Sequence, residues 1–295
     1  MGSSATRRNR RRADRASKRP PAKNLPVLAL PFRGSVDVVV SIQVEVSRLG
    51  PCLEALRAEL PASATITVAD SVRETLPDAG KRHEEIALVS RRFEAHVIRN
   101  ARGQWDARNR AASAGQAPLL FFLDGDAVLA HGAWAKVSDH MGREDVGVLG
   151  GMLLWGLNLT KPEIKEGTIK YAGFAFGARL MPYARFQGWL PDNSKIYARD
   201  DLQAVPAAIM VTRRTLFRNL HGFDPADNFK GLCYADAHYC VRARANGLLV
   251  AFEPTLFAVT AREPFAVDGQ ELRAGGQVLQ AISRHLCQFD EYRLL

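Results

Sequence analysis

Asp124 and Asp126 follow the apolar run LLFFL (residues 119–123), with only Gly125 between them. Carboxylates at i and i+2 after a strand can both reach one divalent cation, and their hard oxygens suit magnesium or manganese. A cation held there can bridge a diphosphate and neutralise the charge that builds on it as it leaves. The competing reading is that one Asp caps the following turn or helix while the other is solvated. Asp70 closes a second strand-like stretch, TITVAD (65–70), in the same way. Cys233, His238 and Cys240 form C-x4-H-x-C with no fourth ligand nearby, which argues against zinc. Together with Cys52 and Cys287 these cysteines are scattered, as expected in a reducing compartment.

What must position these carboxylates is an alternation of strands and helices. VDVVVSI (36–42) is a β-branched run suited to a buried strand, and GPCLEALRAEL (50–60) carries leucines at helical spacing. The polar stretch 72–85 is loop or helix, AHVIRN (95–100) a third strand, and a helix is expected over 104–114. After the aspartate pair come a short helix within 133–141, a strand at 146–155 and an irregular, aromatic-rich segment over about 156–201. Its length and lack of periodicity mark an active-site lid or partner-binding insertion. A strand at 204–212, a helix at 234–247 stopped by Gly247, a strand at 248–254 and an amphipathic helix within 275–289 complete the pattern. Such alternation predicts βαβ units, an α/β fold and a mainly parallel sheet. Parallel crossovers place successive strand exits on one edge, so Asp70 and the Asp124/Asp126 pair should converge at one cleft.

At 295 residues the chain can hold one large or two ordinary domains, and 47% hydrophobic with 24% charged residues is ordinary for a folded protein. Charge is uneven. Residues 1–24 carry nine Arg or Lys against Asp14, so nearly all of the net +9 belongs to a tail expected to be disordered. Such an arm can touch nucleic acid or an anionic membrane surface, or merely solubilise the chain. LPVLALPF (25–32) is too short to cross a bilayer and has no cleavage site, so a cytoplasmic protein is expected, with peripheral membrane contact through the arginines left open.

Five stretches, in this order, resemble the family 2 glycosyltransferases: VDVVVSIQVEVSRLGPCLEAL, ITVADS, NARGQWDARNRAASAGQAPLLFFLDGDAV, VPAAIMVTRRTLFRNLHGFDP and YADAHYCVRARANGLLVAFEP. The resemblance runs from about Val36 to Val259. It implies a GT-A fold, a Rossmann-like and mainly parallel sheet flanked by helices. The organisation expected is a basic tail and lead-in over 1–34, a GT-A domain over 35–265 and a C-terminal helical extension over 266–295. A nucleoside diphosphate sugar would be the donor and Mn2+ or Mg2+ the cofactor.

Carried over position by position, the resemblance implies that Asp70 contacts the nucleobase, that Asp124 and Asp126 form the metal- and diphosphate-binding D-x-D, and that Arg102 and Asn109 lie near the nucleotide. Asp236, aligned on Arg242, would be the base that deprotonates the acceptor. Each has an alternative: Asp70 or Asp236 as a cap, Arg102 as a surface charge, Asn109 as a packed polar group. The chain also departs from the pattern. Ala235 and His238 stand where Glu and Asp are usual, Ser41, Gln43 and Val44 replace the Pro, aromatic and Asn after the first strand, and Thr260 and Arg262 stand where a His ligand is often found. The implied reaction is inverting sugar transfer to a hydroxyl of a cell-surface glycan or lipid-linked saccharide. Alternatives are transfer to nucleic acid, such as a modified DNA base, and a noncatalytic nucleotide-sugar-binding relative. Trp155, Phe174, Phe176, Tyr183, Phe186 and Trp189 are either core or a stacking platform for the acceptor.

Overall fold

A computed structural model describes residues 32, 34–43, 46–99, 102–156, 165–224, 234–260, 269–284 and 286. The basic tail, Val44, Asn100, Cys233, Arg262 and Cys287 lie outside them. Strands β1 (Val36–Ile42), β2 (Thr65–Asp70), β3 (His96–Arg99) and β4 (Leu119–Asp124) alternate with helices α1 (Leu49–Glu59), α2 (Ala79–Arg92) and α3 (Gln104–Ala114). Then follow β5 (Ala127–Leu129), α4 (Val137–Gly142), β6 (Val146–Trp155), β7 (Ile169–Tyr171), the hairpin β8 (Phe174–Phe176) and β9 (Pro182–Ala184), and a 3-10 turn (Ser194–Ala198). The remainder is β10 (Ile209–Arg213), α5 (Arg214–Asn219), α6 (Ala235–Ala245), β11 (Leu249–Thr260) and α7 (Gly269–Ser283).

The main sheet runs β3-β2-β1-β4-β10-β6-β11-β5, with β7 paired to β6. β3, β2, β1 and β4 are mutually parallel, and β10 is antiparallel to both β4 and β6. Among the described residues, six of the nine strands of this sheet therefore point one way, with β10, β5 and β7 reversed. Side-chain alternation splits each strand between two cores. Val39, Leu120, Phe122 and Met210 face α3, α5 and α6, whereas Val38, Val40, Phe121 and Val211 face α1, α2 and α4. Among the described residues no helix is long and apolar enough to cross a membrane.

The segment 165–201 is part of the folded body, not a detached lid. Trp155, Phe174, Phe176 and Phe186 are buried, and Tyr183 and Trp189 are half-buried. Most of these rings pack as core, and the Phe174 ring meets Tyr234 edge-on at 6.5 Å, just ahead of α6.

Candidate active site

Strand pairing sets the rim. In register, Ile42 stands opposite Asp70 and Ser41 opposite Asp124, so β1 separates two strand-end aspartates. At the spacing of adjacent strands this places their backbones roughly 10 Å apart. Gly125 explains the tight exit between Asp124 and Asp126. Its N–H donates to Ser41 O at 2.9 Å, and a Cβ there would sit 2.1 Å from Ile42 Cδ1. With no side chain at 125, the chain turns against β1 and enters β5, whose pairing with β11 sets Ala127 opposite Thr260.

Thr260 Oγ1 donates to Asp126 Oδ2 at 2.5 Å, with Asp126 only 4% exposed. The residue standing where a His ligand is often found thus reaches the second aspartate through a hydroxyl. Asp124 is engaged differently. Arg108 Nη2 donates to its Oδ1 at 2.6 Å and to Ser41 Oγ at 2.7 Å. Arg108 projects from α3, is 3% exposed and lies over the Trp105 ring at 4.9 Å. The two carboxylates also flank Cys52, whose thiol pKa is pushed up by burial and then by the charges of Asp126 and Asp124.

Asp236, in the first turn of α6, joins the same rim through the stretch that leads into β10. Ala207 N donates to Asp236 Oδ2 at 2.9 Å, and Asp124 N donates to Ala208 O at 3.1 Å. Two residues span at most about 7 Å, so the segment carrying Asp236 and the exit of β4 are held side by side. Ala237 N donates to the other carboxylate oxygen at 2.8 Å. Burial raises the Asp236 pKa above the ordinary carboxylate value, against the two backbone N–H groups and the charge of Arg108, which lower it. Tyr234, which precedes the helix, holds φ = 81°, a left-handed conformation costly for a side chain of this size.

The other positions suggested by sequence fall around this centre. Asp70 is 1% exposed and accepts from Val72 N at 3.1 Å and pairs with His83 Nδ1 at 2.5 Å. Arg102 is exposed in the turn before α3. Asn109 turns to the loop after α5: its Nδ2 donates to Phe223 O at 2.7 Å and its Oδ1 accepts from Phe223 N at 3.0 Å. The side chain thereby fastens that loop to α3. Gly222 lies against it, with φ = 68° and space so tight that a Cβ would meet Asn109 Oδ1 at 2.5 Å. His238 is buried with Asp224 Oδ2 3.9 Å from its Nδ1. Burial, and then Arg242, lower its pKa to about 4, so it is neutral at pH 7.

Sequence reasoning missed Arg108. Its signal was a charged residue on the same helical stripe as Trp105, Ala111 and Ala112, where only apolar groups are expected. Among the described residues no group of three or more His, Cys, Asp and Glu could hold a metal. The hard oxygens of Asp126, Thr260 and Asp124 suit a cation that takes its other ligands from a diphosphate and water, as magnesium commonly does.

Comparison with known proteins shows the family and the fold. The family described as glycosyltransferase like family 2 matches residues 34–276. A search of curated protein sequences finds no match. Among solved structures, the mannosyltransferase PcManGT from Pyrobaculum calidifontis, in complex with GDP-Man and Mn2+, superposes with a TM-score of 0.58 at 15% identity, over 95% of this chain and 72% of that one. GalNAc-T7 with UDP, GalNAc and Mn2+ gives a TM-score of 0.61 at 15% identity, over 84% of this chain and 48% of that one. At such identity these likenesses speak for the fold, which is GT-A, while the family match spans most of the chain. The chain belongs to glycosyltransferase like family 2 and is a glycosyltransferase of GT-A fold.

Proposed function

We propose that the chain transfers a sugar from a nucleoside diphosphate sugar to an acceptor hydroxyl with inversion at the anomeric carbon. The observation that carries this reading is the arrangement on one sheet rim of Asp124 against Arg108, Asp126 against Thr260 and Asp236 against Ala207 N, beside the Ala208 carbonyl that accepts from Asp124 N. Asp70, on the neighbouring strand end, would face the nucleobase, its carboxylate orientation fixed by His83 and Val72 N. Arg102, at the mouth of α3, would meet the nucleotide from solvent. Asn109 would act through the loop that it fastens.

Asp126, with Thr260 and Asp124, would hold the divalent cation that accompanies the nucleotide in both solved relatives. Such a cation would neutralise charge on the departing diphosphate. Asp236 takes the proton of the acceptor hydroxyl. The acceptor oxygen forms its bond to the anomeric carbon as the bond to the diphosphate oxygen breaks, and the nucleoside diphosphate leaves with that electron pair. A raised pKa makes Asp236 a stronger base than a solvated carboxylate, and two backbone N–H groups fix its aim. The acceptor in this reading is a hydroxyl of a cell-surface glycan or lipid-linked saccharide, as the resemblance implies.

The test is Asp236→Asn, assayed with a panel of nucleoside diphosphate sugars and manganese by nucleotide release. Transfer should be abolished and donor binding nearly retained. Full activity in that variant defeats the assignment, and binding without turnover in the wild type favours a noncatalytic module.

A further inference from the structure

Arg108 is a buried cation in direct contact with Asp124, one of the aspartates of the rim. Its Nη2 holds Ser41 Oγ and Asp124 Oδ1, and the Asp236 carboxylate, on which its charge bears, is tied to the same strand exit because Ala207 N donates to Asp236 Oδ2 while Asp124 N donates to the neighbouring Ala208 O. The guanidinium is fixed from behind by the Trp105 ring, and α3 is fastened at the next residue, Asn109, to the backbone of Phe223. Arg108 and Ser41 are buried, with the Asp124 side chain 19% exposed. A part-buried carboxylate beside a buried guanidinium is held to one orientation, and removing the cation leaves its charge uncompensated.

We propose that Arg108 is a positioning residue that couples the halves of the site, holding Asp124 in its donor-binding orientation while presenting its charge to the acceptor base Asp236. The inference rests on the roles given above to those two aspartates. Ser41 is part of the device: its hydroxyl accepts from Arg108 and lies 3.4 Å from Asp124 Oδ1, which links β1 to the pair. The groups that bear on Asp236 include Arg108 from α3, the Ala207 and Ala237 N–H groups and its own backbone N–H, and on its own helix Cys240, which burial keeps as a neutral thiol.

The test uses the full chain with two readings. Calorimetric binding of UDP and of GDP in MnCl2 reports the donor half whether or not turnover occurs, and the acid limb of the pH profile of nucleotide release reports Asp236. Arg108→Gln should weaken nucleotide affinity about 10- to 100-fold, the usual effect of losing an orienting partner of a ligand carboxylate. It should also move the acid limb to higher pH, because the cation that favours ionised Asp236 is gone. Arg108→Lys keeps the charge without the guanidinium's reach, so affinity should fall while the limb stays near its wild-type position.

Thermal melts establish that each variant folds, and if Arg108→Gln does not, Arg108→Lys carries the decision. Wild-type affinity together with an unmoved limb, in either folded variant, overturns the proposal. Lost affinity with an unmoved limb in Arg108→Gln confines the residue to the donor half and overturns the coupling. A dead Asp236→Asn beside a normal Arg108→Gln would refute this inference alone. An active Asp236→Asn would refute the catalytic assignment, with the nucleotide-binding effect of Arg108 still measurable.

Discussion

Replacing Asn109 with alanine deletes the two hydrogen bonds, at 2.7 and 3.0 Å, that join α3 to the carbonyl and N–H of Phe223. Phe223 is fully buried, packed among Trp105, Phe122, Phe217 and Tyr239, so its backbone groups find no ready substitute. Each buried group left unsatisfied costs about 1–3 kcal/mol. Because Asn109 itself is half-buried and water can approach from its open side, the lower part of the range applies, or about 2–4 kcal/mol for the pair. In a domain of this size that lowers Tm by roughly 5–15 °C. Asn109→Asp keeps an acceptor for Phe223 N but loses the donor to Phe223 O, and should show at least half the effect. The assay is thermal or urea unfolding beside calorimetric UDP and GDP binding. A stability loss below about 0.5 kcal/mol, the range of ordinary surface substitutions, with a large loss of nucleotide affinity would refute the clamp and make Asn109 a direct ligand contact.

Thr260→Val removes the hydroxyl that donates to Asp126 at nearly constant volume; the manganese concentration for half-maximal calorimetric nucleotide binding should rise about tenfold. An unchanged manganese requirement would separate Thr260 from the cation. Glu253 offers a test of stability against pH. Burial would raise its pKa, but His140 and the N–H and hydroxyl of Thr255 outweigh that and hold it at about 2. A depressed carboxylate stabilises fully above its ordinary value of 4.5 and loses that contribution as pH falls to about 2. The Tm gap between wild type and Glu253→Gln should therefore narrow over that window, and a constant gap would count against the pairing.

Periodicity was a sound guide where one face of an element meets a core. The helix over 104–114 and the strand over 146–155 have the bounds expected, and β1 and β2 likewise. It was weaker where the site uses the backbone. The strand expected over 204–212 joins the main sheet only from Ile209, with an isolated bridge from Ala204 to Phe174 before it, because Ala207 N–H goes to Asp236 and Ala208 O accepts from Asp124. β11 was expected to stop near Pro254 but runs to Thr260, and the proline falls within a register shift between Phe252 and Phe257, where a missing N–H is tolerated. That continuation brings Thr260 to Asp126. The helix α2 was hard to read because His83 and Ser90 occupy part of its buried face, one of them paired with Asp70. Strands β7, β8 and β9, three residues each, are too short to show alternation. The strand-end aspartates were legible from their positions, but the contacts of Arg108, Ser41 and Thr260 needed three dimensions.

Ala207 and Ala208 form a yoke: one end grips the Asp236 carboxylate, proposed above as the base, and the other grips the exit of β4. Any shift of this yoke moves both grips, so, on the roles proposed above, reshaping it for a new acceptor would disturb the donor side as well. Ala207 has no exposed surface and Ala208 almost none, which leaves little freedom for bulkier side chains there. The segment 165–201, which borders Tyr234, is itself fastened to the same stretch, since Phe174 N donates to Ala204 O at 2.9 Å three residues ahead of the yoke.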